Sequence, residues 1–262
     1  MTRRRTLLEA GAALALGNVG TAWAQTPPRK FVVGQSVPLT GAASEIGLAF
    51  AAGAKLYFDA FNGRKNTLGV QFELRQLDDG FVATRATTNA RKLLADGADV
   101  LFGFVGTAST TAGADVARAE GAIFFAPFAA SDGLREASQA HVFHVRPSLS
   151  DEAFKMLRHA ATLGQTRIAV VAEDDAMGRA GTAAVQAAMA ELKLPAPVAV
   201  AVVPVNSDKT DAAVASLQKA QAQAVILVSL FTTSAAVIRK ARASGFTGTF
   251  MAFSVVGIDP LF

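Results

Sequence analysis

Residues 100–110 read Val100-Leu101-Phe102-Gly103-Phe104-Val105-Gly106-Thr107-Ala108-Ser109-Thr110, and they set the frame for the whole chain. Val100 to Val105 is a short apolar strand. Gly106 permits a tight turn, and Thr107, Ser109 and Thr110 stand where a helix begins. A helix start presents unpaired backbone N–H groups and the positive end of the helix dipole, so it favours an anion such as a carboxylate. Small hydroxyl side chains there either cap the helix or add donors to a ligand. Most strand–Gly–Thr–helix turns in α/β proteins only cap a helix, so the reading depends on what surrounds this one.

Working outward, the chain alternates strands and helices. Phe31–Ser36 is an apolar strand and Pro38-Leu39-Thr40-Gly41 a turn. Ile46, Phe50, Ala54, Tyr57 and Phe61 recur at helical spacing within 45–62. Val70–Leu77 alternates apolar and polar residues, as a half-exposed edge strand does. Asp78-Asp79-Gly80 turns the chain into a helix over 82–95. The central strand is followed by a helix over 110–120 and a strand over 122–126, stopped by Pro127. A second series follows Arg146-Pro147: helix 150–163 with Ser150 as its cap, strand 167–172, helix 176–192, strand 198–203, helix 208–220 capped near Ser207 or Asp208, strand 224–229, helix 232–243 and strand 249–254. Pro195 and Pro197 forbid continuation of the long helix. Repeated strand–helix units with right-handed crossovers build parallel sheets covered on both faces. The pattern predicts two α/β lobes, over 31–145 and 146–254, with 255–262 beginning a return crossing. Ligands of such sheets sit in the crevice beyond the carboxyl ends of the strands.

Composition excludes several classes of function. The 262 residues are 51% hydrophobic and 18% charged, a globular balance. Arg3, Arg4 and Arg5 against Glu9 supply half of the net charge of +4, and no basic block with interleaved aromatics follows, so nucleic acid is not an expected partner. The absence of cysteine rules out disulfides, a thiolate nucleophile and a Cys-held metal. Arg3–Arg5, the apolar run Leu7 to Val19 and Ala22-Trp23-Ala24 form a charged, a hydrophobic and a cleavage region. They read as an export signal over 1–24, cut after Ala24, with 25–30 as linker. Arg4-Arg5-Thr6-Leu7-Leu8 looks like a twin-arginine signal, with Sec export the alternative. The apolar run is too short to serve as a membrane anchor.

Enzymatic readings find little support in the residues. Asp78-Asp79 and Glu173-Asp174-Asp175 are expected to be solvated turn acids rather than catalytic pairs or metal ligands. His141, His144 and His159 lack metal spacing. Ser36 and Ser229 lack a nucleophile elbow. Gly103-x-x-Gly106 is neither a dinucleotide fingerprint nor a phosphate loop. Phe102, Phe104, Phe124 and Phe125 are expected to cover the sheet, and no cofactor or metal is expected.

The order of these pieces resembles the type 1 periplasmic solute-binding proteins, the leucine/isoleucine/valine-binding branch that feeds ABC importers. The resemblance is carried by 34–41, by 53–59 with Asn62, by 103–110, by 120–123 with Ala126-Pro127, by Val145-Arg146-Pro147-Ser148, by 168–181 and by 239–245. It implies an exported, monomeric protein without catalysis, whose lobes close on a small solute and present it to a membrane permease. Thr107 matches the hydroxyl that holds a ligand carboxylate, preceded by Val105 and Gly106. Phe128 falls where a backbone group helps, within a segment that includes Ala129. Ala130 stands where a second hydroxyl is often found, with Ser131 beside it. Ile46 and Met177 stand at positions where amino-acid binders commonly carry tyrosine, and Leu230 replaces another aromatic. Ser254 replaces the acid that pairs with an α-ammonium. The resemblance therefore implies a carboxylate-bearing, rather apolar solute, branched-chain amino acid-like or an aromatic or branched acid. The runner-up readings are a sensory ligand-binding domain of the same fold and an exported α/β enzyme. Members of the family continue beyond the point corresponding to Phe262, so the chain reads as C-terminally truncated, with a bare apolar surface expected on its first lobe.

Overall fold

The computed structural model describes residues 29–64 and 69–256. The export signal, its cleavage point and residues 257–262 lie outside them. Two parallel sheets flanked by helices make up the described chain, the α/β arrangement expected from the alternating pattern. The first sheet holds β1 (Arg29–Val37), β2 (Val70–Asp78), β3 (Val100–Phe102), β4 (Ile123–Phe125) and β5 (Val142–Phe143) in the order β2-β1-β3-β4-β5. Its helices are α1 (Ser44–Asn62), α2 (Ala83–Ala95) and α3 (Thr107–Ala119). The second sheet holds β6 (Ile168–Glu173), β7 (Ala199–Val203), β8 (Ala224–Val228) and β9 (Thr249–Ala252) in the order β7-β6-β8-β9. Around it lie α4 (Leu149–Thr162), α5 (Ala176–Glu191), α6 (Asp211–Lys219) and α7 (Phe231–Ala243).

Burial follows strand position. β6 and β8, at the centre of their sheet, are buried along their whole length. Their continuous Val/Ile/Ala runs suit a strand covered on both faces. Alternate side chains divide between two cores: Ile168, Val170 and Ala172 join α4 and α5, while Ala169 and Val171 join α6 and α7. β2 is an edge strand and only half-buried, as its alternation predicts.

The first sheet behaves differently at its centre. β3 ends at Phe102 rather than at Val105, because Gly103 turns to a φ of +58°. A side chain at Gly103 would also meet the Phe50 ring at 2.7 Å. Phe104 and Phe124 are fully buried and pack edge to face, whereas Phe125 is exposed. The latter lines an exposed apolar patch with Phe50, Tyr57, Phe58 and Phe102, and the exposed Phe143 lies opposite it on β5.

Three local expectations are corrected. α4 is capped by Ser148, not Ser150: its hydroxyl accepts from Asp151 N while the Asp151 carboxylate accepts from Ser148 N. α6 begins after Thr210, later than Ser207 or Asp208, and has no side-chain cap. α3 begins at Thr107 rather than Thr110. No helix of the described residues is long and apolar enough to cross a membrane.

Candidate functional site

The carboxyl ends of the strands from both sheets converge on one cavity. From the first sheet it is lined by Ala43, Ile46, Phe81, Val105, Gly106, Thr107 and Phe128 to Ala130. Arg146, Leu149 and Glu152 follow at the crossing, and Met177, Leu230, Phe253 and Val255 come from the second sheet. Its empty volume, open mouth included, is about 510 Å³. The walls are mostly apolar, with a few polar groups converging at two places.

The first is the turn into α3. Gly106 takes a φ of +89° and ψ of 148°, a conformation reserved for glycine. The loop after β4 holds it there: Gly106 N donates to Phe128 O (3.2 Å), and Phe128 N donates to Phe104 O (2.8 Å). Val105 and Phe128 pair as a single bridge of the sheet. Gly106 offers α3 no side-chain cap, so its first amides, which have no partner within the helix, face the cavity beside Thr107 without a capping side chain among the described residues. Thr110 does not reach the site, because its hydroxyl donates to Phe104 O.

The second is the crossing between the sheets. The Arg146 guanidinium lies over the Phe128 ring, 4.1 Å from its centre. Its Nη2 donates to Ser254 Oγ at 2.5 Å. Glu152 receives both donors of Ser254: Oε2 accepts from the amide and Oε1 from the hydroxyl, each at 2.7 Å. Burial pulls the Arg146 guanidinium below its usual value, with the Glu152 charge acting the other way.

The turn acids organise the rim. Asp78 accepts from Leu39 N, Thr40 N, Thr40 Oγ1 and Gly80 N, which hold it below its ordinary value with the Thr40 hydroxyl leading. Asp79 and Glu173 are not solvated as expected but 0% and 1% exposed, and burial raises both. Asp79 accepts from Ser36 Oγ and Phe81 N, fixing Phe81 at the cavity. Glu173 Oε1 accepts from Thr233 Oγ1 and Asn206 N. Asn206 in turn reaches across the cleft: its Nδ2 donates to Ala42 O at 2.6 Å. Asp175 caps α5 through Gly178 N. Each acid near the cleft is thus engaged by protein donors. The ring nitrogens of His141 and His144 bond the carbonyls of Ala114 and Leu134. Among the described residues no group of three or more His, Cys, Asp or Glu could hold a metal ion.

Of the ten residues singled out from sequence, the structure brings Val105, Gly106, Thr107, Phe128, Ala129, Ala130, Met177 and Leu230 into the lining. Ser131 and Ser254 stand outside it. Ser131 opens a 3-10 turn at 132–135, and Ser254 sits behind Arg146 and Glu152. Sequence reasoning missed Phe81, Leu149, Phe253, Val255 and, above all, Arg146 and Glu152 as lining residues. The only signal for Arg146 was its place in the crossing motif 145–148.

Comparison with known proteins gives this geometry its relatives. A family model described as periplasmic binding protein matches residues 30–261. A possible leucine/isoleucine/valine-binding protein from Rhodopirellula baltica SH 1 superposes with a TM-score of 0.81 at 25% identity, covering 90% of this chain and 65% of its own. A substrate-binding periplasmic protein from Ralstonia solanacearum gives 0.81 at 29%, covering 88% and 65%. An ABC transporter solute-binding protein from R. palustris, in complex with benzoate, shares the fold at 0.76 and 20% identity, covering 85% and 62%. The chain thus spans about 65% of the length of the first two. A comparison with curated proteins returns no match. With its match extending over nearly every described residue, the chain belongs to the periplasmic binding protein family.

Proposed function

We propose that this chain is the extracytoplasmic solute-binding component of an ABC importer, taking a small, carboxylate-bearing, largely apolar solute between its two lobes. The observation that carries the reading is the shared cavity: residues 43–130 supply one wall, with the start of α3 opening from it, and residues 177–255 supply the other. The carboxylate meets the Thr107 hydroxyl and the first amides of α3, where partial positive charge gathers. Phe128, Met177 and Leu230 form the apolar walls. No bond is made or broken. The two halves bend about the crossings to close, and the closed form docks on a permease. The protein acts as a monomer in the periplasm, after removal of residues 1–24. The relatives support binding rather than catalysis, and one of them holds benzoate.

Calorimetry on the purified chain tests the reading. Benzoate and 4-methylpentanoate are expected to bind and to raise the melting temperature, with leucine weaker than either. Leucine binding much tighter than both acids overturns the choice of solute.

A further inference from the structure

We infer that Arg146 is the counter-charge of the bound acid, the residue that makes the cleft choose a carboxylate over its neutral analogues. This rests on the solute-binding reading above and goes on to name the selecting group. Arg146 stands at the first crossing and lines the cavity beside Phe128 and Leu149. None of the ion pairs among the described residues includes it. A guanidinium has five N–H donors, and among the described residues only Nη2 has a protein acceptor. The ring of Phe128 supports its face and fixes its plane. The result is a half-buried cation with unspent donors beside apolar walls. Leaving a buried charge without a partner is costly, and a carboxylate matches the guanidinium fork.

Glu152 is the single acid in the lining, and both of its oxygens already accept from Ser254. The Ser254 hydroxyl gives its proton to Glu152 and takes one from Arg146, so it joins the two charges and sets the guanidinium in place. The Arg146 charge and the partial charge of the α3 start both attract an anion, with the Glu152 charge acting on Arg146 from the same lining. A carboxylate meets the open donors of the guanidinium fork with a matching charge, which a neutral amide does not supply. Ser254 and Glu152 are positioning residues, and Arg146 is the contact.

The test uses matched acids and amides on the purified chain: benzoate with benzamide, and 4-methylpentanoate with its primary amide. Calorimetry is run on wild type, Arg146→Gln and Arg146→Lys, each with a melting curve. Wild type should prefer each acid over its amide roughly thirtyfold or more. Arg146→Gln should weaken the acids by at least roughly tenfold and the amides by less than roughly twofold. Arg146→Lys keeps the charge but not the fork, so it should retain part of the preference. Equal weakening of acid and amide in Arg146→Gln, or unchanged acid binding, overturns the role of Arg146 and leaves the acid reading standing. Wild-type protein that binds neither acid overturns the solute class and this inference together. If Arg146→Gln fails to fold, equal acid preference in wild type and in Arg146→Lys refutes the fork.

Discussion

Substituting Gly106 by alanine tests how the site is built, because two separable costs meet at one Cβ. The first is conformational. Gly106 sits at φ +89° and ψ 148°, and holding a side chain there costs about 1–3 kcal/mol. The second is steric. The new Cβ would lie 2.5 Å from Phe81 Cε2 and 3.1 Å from Cζ. Phe81 cannot retreat as a whole, since its amide donates to the buried Asp79 carboxylate at 2.8 Å and its own φ is +65°. The ring must turn instead, a repacking worth about 1 kcal/mol at the low end of overpacking costs. The sum is about 2–4 kcal/mol. For a chain of this size each kcal/mol moves the midpoint by about 2–4 °C, so Gly106→Ala should melt roughly 5–15 °C early. Gly121→Ala supplies the control. It shares a positive φ of +65° but has nothing within 4 Å. It should therefore lose only the strain, about 1 kcal/mol or roughly 2–4 °C. Scanning calorimetry reads both. Because Phe81 lines the cavity, Gly106→Ala should also weaken benzoate binding, while Gly121→Ala should not. Equal shifts in the two variants, or a Gly106→Ala midpoint within 2 °C of wild type, would refute the reasoning.

Other perturbations follow from single contacts. Ser148→Ala removes the capping box of α4 and should cost about 1 kcal/mol in urea unfolding; a change below about 0.3 kcal/mol would mean the cap is replaced by water. Asn206 sits at φ +45°, which suits glycine, so Asn206→Gly removes the bond to Ala42 without straining the backbone. A net hydrogen bond of about 0.5–1.5 kcal/mol present only in the closed form should lower solute affinity roughly two- to tenfold, and unchanged affinity would show that the contact does not report closure. Glu73 is held at about 2, below its ordinary 4.5, chiefly by Arg75 and then by Lys30. A lowered folded-state value stabilises above the unfolded value and is lost as pH falls through the folded one. The stability gap between wild type and Glu73→Gln should thus be constant above pH 4.5 and shrink from pH 4.5 towards about 2; a gap that widens on acidification would contradict the sign.

The fold was legible because strand burial leaves periodic marks. Continuous apolar runs at 168–172 and 224–228 became the two central strands of their sheet, and the alternating run 70–77 became an edge. What failed lay at element ends, where one hydrogen bond decides. Ser150 and Ser148 are equally good caps by composition. Only Ser148 has a carboxylate three residues on, at Asp151, which can return the bond to its amide. The six-residue strand at 100–105 was cut to three by Gly103, whose positive φ answers to the Phe50 ring from α1. The turn acids were misjudged for the same reason. Asp79 and Glu173 look like surface turn residues until the donors that receive them, at positions 36, 206 and 233, fold over them.

The site divides along the same line. Residues that follow a strand directly, such as Thr107, Phe128, Met177 and Leu230, can be found from topology, because parallel strands deliver their carboxyl ends to one crevice. Arg146 and Glu152 cannot, since their meeting with Ser254 spans 108 and 102 residues of sequence. A crossing segment has neither the period of a strand nor that of a helix, and an arginine in it reads as a solvated charge. It becomes a cavity residue only when Phe128 supplies a ring beneath it and Ser254 a hydroxyl at its edge. On the proposed reading, the crossing is also where the two halves bend towards each other. If so, a charge fixed there would stand against the ligand in every degree of closure, whereas Thr107 and Leu230, on opposite walls, would approach each other only as the cleft shuts. Selection by Arg146 would then act on the open form, before closure, and Arg146→Gln should lower the association rate of an acid as well as its final affinity.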